Sequence, residues 1–336
     1  MKKTLTTKDE VIDCLVNAIS YCRKNGITFS RDIYRNVAKL LDLKYKSDAT
    51  AKAECGSWDA AVNEAYAKLK PVIVHDDEDE YSFLKKRLLP NNKRYKVLVI
   101  PDIHFPFEHK EALDCVKRVA QEYGPDEIVQ LGDLIDCYKI SRFVKDPARG
   151  ASVQEELDMA HVFLNEIKSK YSSAKKATFI EGNHEVRISK YVHLNASGLS
   201  CLRAMDISNL LDLKAIGWDH IADHEFYGIN NVHFTHGEFA NKFTSSTHME
   251  RYGVSIIHGH THKLQSHCTK FMDRQIEGWE MGCLSSLNVS RDYVKCANWQ
   301  HGFGTVDIFG DDYWIQGYHI RDGKVNFNGK MIEGKK

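Results

Sequence analysis

The chain has 336 residues, of which 43% are hydrophobic and 27% charged, with 46 basic and 46 acidic side chains. That length is enough for a large core and for more than one small domain. The zero formal net charge excludes a global field that draws in nucleic acid, so any polyanion site has to come from local charge or bound metal. No run of roughly 18 apolar residues occurs, so no membrane span is expected. The opening MKKTLTTKDE carries positive charge with no apolar stretch behind it, so no secretory leader is expected. The nine cysteines are dispersed with no CxxC pair. This predicts reduced thiols, a cytoplasmic location and no zinc finger.

Residues 1–75 read as a small helical bundle. Thr7-Lys8-Asp9-Glu10 has the form of a capping box, followed at helical spacing by Val11, Ile12, Leu15, Val16 and Ile19, with Gly26 as the stop. Ser30 caps a second helix carrying Ile33, Val37, Leu40 and Leu41. Ser57 caps a third, with Trp58, Ala61, Val62, Ala65, Tyr66 and Leu69 inward. Three short helices have the size of a helix-turn-helix module, and equally of a plain structural cap. Residues 76–94 read as a charged linker. It starts from the acidic block His75–Glu80 and runs into a basic stretch that reaches Lys96.

From residue 95 to 336 the pattern becomes α/β. Val97-Leu98-Val99-Ile100, Glu127–Leu131, Ala177–Ile180, Asn231–Thr235 and Ser255-Ile256-Ile257 are short apolar or β-branched runs, as in strands buried on both faces. Helix-like segments, Glu108–Tyr123 and Val153–Lys170, separate the early runs. Strand-like runs from Gln275 to about Lys330 suggest a second sheet packed on the first. Each of the five runs ends in residues that bind metals: Asp102 and His104, Asp133 and Asp136, Asn183 and His184, His236, then His260 and His262. Strand ends are where open α/β sheets place ligand sites. Carboxylate oxygen and neutral imidazole suit borderline divalent cations. A carboxylate can bridge two such ions, which together neutralise a phosphate oxyanion and activate water for in-line attack.

Asp102-Ile103-His104, Gly132-Asp133-Leu134-Ile135-Asp136, Gly182-Asn183-His184-Glu185, His236-Gly237 and Gly259-His260-Thr261-His262 resemble, in order, the five blocks of the calcineurin-like metallophosphoesterases. The resemblance implies a four-layer α/β/β/α sandwich and a phosphoester hydrolase with two divalent ions, Mn²⁺ foremost, with Fe, Zn, Co, Ni or Mg as alternatives. It implies that Asp102, His104 and His262 hold one ion, that Asn183, His236 and His260 hold the other, and that Asp133 bridges them. His184 would face the substrate as a proton donor, with Asp136 setting its tautomer and pKa. A ligand role for His184 stays open.

His233 and His258 flank the motifs off the ligand positions and read as structural. His109 and Glu185 lie close to the motifs in sequence. Arg187 is a candidate phosphate clamp, and a surface salt bridge is its commoner fate. Asn298–Phe303 could form a wall near the metals, or Trp299 could simply pack in the core. Protein Ser/Thr phosphatases of this family usually carry Arg after the second Asp of the second block. Here Cys137 stands there, which weighs against that substrate. Cys55-Gly56-Ser57-Trp58 resembles the helix start of small DNA-binding repeats found beside homing endonucleases. If that holds, the bundle would contact DNA, and Lys85, Lys86, Arg87, Lys93, Arg94 and Lys96 could touch phosphates. The expected function is therefore a phosphodiesterase or nuclease on nucleic acid, and the resemblance to family nucleases, which often act as dimers, allows a homodimer. The alternatives are a phosphatase or phosphodiesterase for small nucleotides or phosphoproteins, and a DNA-binding module that has lost activity.

Overall fold

The computed structural model describes residues 7–24, 29–45, 47–68, 84–89, 93–142, 151–223, 225–288 and 297–335. Gly26, Leu69, the side chain of Tyr66 and the acidic block His75–Glu80 lie outside them. The chain divides into two units, Met1–Phe83 and Leu84–Lys336.

The first unit holds α1 (Thr7–Lys24), α2 (Arg31–Leu40), α3 (Asp48–Cys55) and α4 (Trp58–Lys68). The sequence suggested three helices. The additional one, α3, is capped by Ser47 and has a weak apolar stripe in which Ala51 alone is buried, so periodicity did not reveal it. Gly56, at φ 81°, ends α3 and Ser57 caps the first turn of α4. Val11, Ile12, Leu15 and Ile19 pack with Tyr34, Val37, Ala61 and Ala65. The Trp58 ring stacks on Phe29 and tilts against Tyr34. Leu40 and Leu41, expected inward, are exposed, because the buried face of α2 runs through Tyr34, Val37 and Ala38.

The second unit runs β1 (Leu84–Arg87), β2 (Arg94–Ile100), α5 (Lys110–Tyr123), β3 (Glu127–Gln130), α6 (Val153–Ser169), β4 (Lys176–Ile180), α7 (Val186–Asn195), α8 (Ile207–Leu210), β5 (Asp219–Ile221), β6 (Phe226–Ile229), β7 (Val232–Phe234), α9 (Thr244–Tyr252), β8 (Ser255–His258), β9 (Leu264–Lys270), β10 (Gln275–Met281), β11 (Gly302–Phe309), β12 (Asp312–His319), β13 (Lys324–Phe327) and β14 (Lys330–Glu333). Two six-stranded sheets form, β12-β11-β2-β3-β4-β5 and β1-β6-β7-β8-β10-β9, with β13–β14 a separate hairpin. Strand parity sorts the core. Val97 and Val99 of β2 face the other sheet and meet Ile229, Phe234 and Ile257. Leu98 and Ile100 face the opposite way, onto Val116, Leu164 and Ile167 of α5 and α6. On the far side of the second sheet, Met249 of α9 packs on Ile256 and Ile276. The result is the four-layer α/β/β/α sandwich.

Three placements differ from the sequence expectation. Leu84–Arg87, read as linker, is an edge strand paired in parallel with β6. Its Arg87 is ion-paired with the buried Glu127, which also accepts from Tyr95, Tyr227 and Thr178. Arg94 pairs with Asp307, Lys85 with Glu225, and Lys96 donates to the Tyr123 carbonyl. Much of the basic stretch therefore satisfies the fold's own acceptors instead of facing a polyanion. Second, the late strands do not make a sheet of their own. β10 joins the second sheet, while β11 inserts antiparallel beside β2 in the first. Third, β7 and β8, which carry late motifs, belong to the second sheet. Among the described residues no helix is long and apolar enough to cross a membrane.

His233 on β7 is buried against the Ser255 carbonyl, and burial lowers its pKa to about 4. A depressed folded-state value gives stability that is present above the unfolded value near 6.5 and is lost as pH falls toward 4. We expect a urea-unfolding midpoint that drops across that window in the wild type. His233→Gln should show a shallower drop, by about 2–4 kcal/mol at the acid end.

Candidate metal centre

The site forms where the carboxyl ends of strands from both sheets meet, and its loops are forced into unusual backbone. His104, Asp133, His260 and His262 all have positive φ, at 57°, 48°, 81° and 60°. Non-glycine residues adopt this left-handed region at a cost that surrounding structure has to offset. Two glycines are required by close approach. A Cβ on Gly182 would overlap the backbone and carboxylate of Asp133, and one on Gly259 would overlap the carboxylate of Asp102.

Asp102, His104, Asp133 and His262 offer ligand atoms within 4.8 Å of one another, as do Asp133, His236 and His260. Asp133 is common to these two groups, and a third group, His104, Asp136 and His184, shares His104 with the first. In the first, the Nε2 atoms of His104 and His262 face each other at 3.0 Å, and the Nδ1 of His262 is buried without a hydrogen-bond partner. In the second, Asn183 Oδ1 lies 2.9 Å from His236 Nε2 and 2.7 Å from His260 Nδ1, and those two nitrogens are 3.2 Å apart. His236 Nδ1 donates to the Leu131 carbonyl at 2.8 Å, which turns Nε2 toward this cluster. Imidazole nitrogens and an amide oxygen converging in this way present more lone pairs than hydrogens, and a cation resolves the excess. The donor set therefore fits a pair of divalent ions.

Electrostatics agree. Burial opposes ionisation of Asp133, but the facing His184, His236 and His104 hold its carboxyl well below the usual range. Burial lowers His260 to about 4 and pushes His262 well down, leaving both rings neutral as ligands have to be. His236 goes the other way. Burial works against its proton, yet Asp133 and Asp102 raise it to about 10. The paired carboxylates thus demand positive charge at this point, which a bound cation would supply.

His184 packs edge-on against His104, with ring centres 4.4 Å apart. Its Nδ1 donates to the carbonyl oxygen of Asp136 at 2.8 Å, and Arg187 donates to its Nε2 at 2.8 Å. Asp136 thus meets His184 through its main chain, while its carboxylate lies 3.4 Å from His104 Nδ1. Arg187 also donates to the Asp136 carbonyl. Burial, with His104 and Arg187, pushes His184 down to about 3 against the pull of Asp133. Trp299 stands edge-on to His262 at 4.3 Å. His109 caps α5 and lies against His301, and His258 stacks on His248, so neither joins a donor group.

Sequence reasoning noted Glu185 only as a neighbour. Its buried carboxylate accepts the backbone N–H groups of Asp133, Leu134, Ile135 and Gly182 at 2.8–3.1 Å. It is the floor of the Asp133 loop. Its place one residue after His184 was a signal, but nothing local told that its partners lay some fifty residues earlier.

A protein-family model described as calcineurin-like phosphoesterase matches residues 95–264, and the chain belongs to that family, hydrolases acting on phosphoester bonds. Gene 54 proteins of Mycobacterium phages L5 and D29 are each 28% identical over 256 residues, covering 71% of this chain and 98% of theirs. Among solved structures, Vacuolar Protein Sorting 29 from Cryptosporidium parvum is similar over 72% of this chain and 99% of its own, with 16% identity and a TM-score of 0.40. Yfce, a phosphoesterase from E. coli, is similar over 64% and 91%, with 14% identity and a TM-score of 0.32.

Glu185→Ala would leave several buried N–H groups unpaired. We expect a loss of about 3–5 kcal/mol, read as a lower denaturant midpoint in the full chain. Glu185→Gln, which keeps an acceptor oxygen, should lose less.

Proposed function

We propose that the chain is a dinuclear, metal-dependent phosphodiesterase acting on nucleic acid. The observation that carries the reading is Asp133, shared by two donor groups at the ends of four strands, with Asn183 after a fifth lying against His236 and His260. In this reading Asp102, His104 and His262 hold one ion, Asn183, His236 and His260 hold the other, and Asp133 bridges them. Mn²⁺ is the expected ion of those such a set accepts. When bound, the pair supplies Lewis acidity for the phosphoryl oxygens and a nucleophilic water at neutral pH.

The chain's own part is orientation and proton transfer. The Asp136 carbonyl fixes the hydrogen of His184 on Nδ1, so Nε2 is the atom that meets the leaving oxygen. An isolated His184 is neutral near pH 7, given its value of about 3. Nε2 accepts from Arg187 in this structure, so protonation there requires Arg187 to turn from the ring to the arriving phosphate, whose negative charge then favours the imidazolium. Nε2 takes a proton from solvent and gives it to the leaving oxygen as the P–O bond breaks. Arg187, beside Nε2, steadies the non-bridging oxygens.

The substrate class rests on position 137. Cys137 is buried and its N–H is bonded to Glu156, so this position offers no cation to a phosphate dianion. That suits a diester monoanion better than a phosphoprotein. A second reading, small nucleotides, is favoured by the first unit, where Lys8, Arg35, Lys44 and Lys68 all pair with carboxylates. Labelled single- and double-stranded DNA, incubated with Mn²⁺ and the full chain, separates the two. Cleavage supports the first reading, and turnover confined to small esters supports the second.

His184→Ala should retain metal while kcat falls by about 10²–10⁴-fold, as for loss of a general acid. Asp133→Asn should instead lose metal, measured by elemental analysis of the dialysed protein. If His184→Ala loses metal as well, the two roles are wrongly divided.

A further inference from the structure

The loops that carry His236, His260 and His262 share one buried support that lies outside the motifs. Glu280, on β10, is fully buried. Its Oε1 accepts the backbone N–H groups of Thr261 and Lys263, each at 3.1 Å, and the hydroxyl of Thr261. This grips the loop on both sides of His262, where the backbone at 260 and 262 has positive φ. Its Oε2 accepts Gln265 Nε2 at 2.7 Å and the hydroxyl of Thr244, the first residue of α9. The Thr244 carbonyl in turn receives His248 Nδ1 at 2.8 Å, and His248 Nε2 receives the N–H of Glu238 at 3.0 Å. Glu238 stands two residues after His236. With its hydrogen on Nδ1, the His248 ring has one acceptor left, and that acceptor points at the loop.

The path is continuous: loop 260–263, Glu280, Thr244, His248, loop 236–238. Thr244 and His248 are fully buried as well. Two glycines set the distances. A Cβ on Gly278 would strike the Ser245 carbonyl, so glycine lets the first turn of α9 sit directly on β10. A Cβ on Gly237 would come within 3.3 Å of the His248 ring.

We propose that Glu280, Thr244 and His248 are a positioning relay that holds the three histidine donors of the second sheet in register with the carboxylates of the first. None of the three touches a donor atom. They act on the main chain of the donor loops, and they keep the left-handed backbone at 260 and 262 from relaxing into ordinary turns, which would swing the rings away from Asp102 and Asp133. The inference rests on the metal assignment made above. It adds that the second sheet's half of the site is set by a hydrogen-bond path through α9.

Mn²⁺ binding to the full chain tests it, by calorimetry and by the electron paramagnetic resonance of the bound ions. Wild type should take up a spin-coupled pair. Glu280→Gln and Thr244→Val should bind at least one ion about ten- to a hundredfold more weakly, as loss of an outer support does elsewhere, with a weakened coupling signal. Thr244→Ser keeps the hydroxyl and should bind as wild type does. Raising Mn²⁺ should restore turnover of bis(4-nitrophenyl) phosphate in Thr244→Val with KM unchanged, which a merely unfolded variant would not do. If wild type takes up no ion pair, the metal assignment itself fails. If wild type does and Thr244→Val and Glu280→Gln match it in affinity and signal, the relay is overturned. Should Glu280→Gln fail to fold, Thr244→Val and Thr244→Ser decide alone.

Discussion

The Asp133 carboxylate is the point on which the site depends. One of its oxygens is held by the N–H of His184 at 2.9 Å. The other faces His236 at 3.4 Å, His104 at 3.7 Å and His184 at 3.8 Å. It joins the cluster of Asp102, His104 and His262 to that of His236 and His260, and its own backbone sits in the left-handed region. Gly182 packs against it so closely that no side chain fits there, and Glu185 receives its N–H. A carboxylate buried among so many polar groups is stable only if those groups arrive together. The site therefore depends on both sheets, and the register β2-β3-β4 on one side with β7-β8 on the other is what brings the groups together.

The sequence made this constellation legible because each donor follows a strand, and strand ends are local features. The runs at 97–100, 127–131 and 177–180 are apolar on both faces, since one face meets helices and the other meets the second sheet. What stayed hidden was non-local. Nothing in Leu84-Lys85-Lys86-Arg87 signals a strand: its outer members are half-buried, its middle lysines are exposed, and it is made a strand by pairing with β6. Nor could alternation tell that β7 and β8 leave the first sheet. Their pairing with β6 and β10 is visible only in the fold.

The same distinction applies to the basic stretch. Lysine and arginine in a run suggest a solvated face or a polyanion contact. Arg87 instead answers Glu127, which is buried between the sheets and accepts from Tyr95, Tyr227 and Thr178 as well. Removing either member of such a pair strands the other, so the pair fixes where β1 lies. With Arg87 held in this pair and the net formal charge at zero, the basic stretch offers a phosphate less than its count of cations suggests.

Two buried carboxylates divide the remaining task. Glu185 binds four N–H groups around the Asp133 turn, and Glu280 binds the main chain on both sides of His262. Each sits under a loop whose backbone is strained, and each belongs to the sheet half that supplies that loop's donors. A carboxylate suits this place better than a neutral acceptor, because its two oxygens offer several lone pairs in one plane and its bonds to N–H groups are the stronger, charge-assisted kind. The pull on His236, whose proton is held up against burial to about 10 by Asp133 and Asp102, comes from the two carboxylates of the first sheet. The demand for positive charge at the centre therefore begins there, while Glu185 and Glu280 act on the main chain that carries the donors.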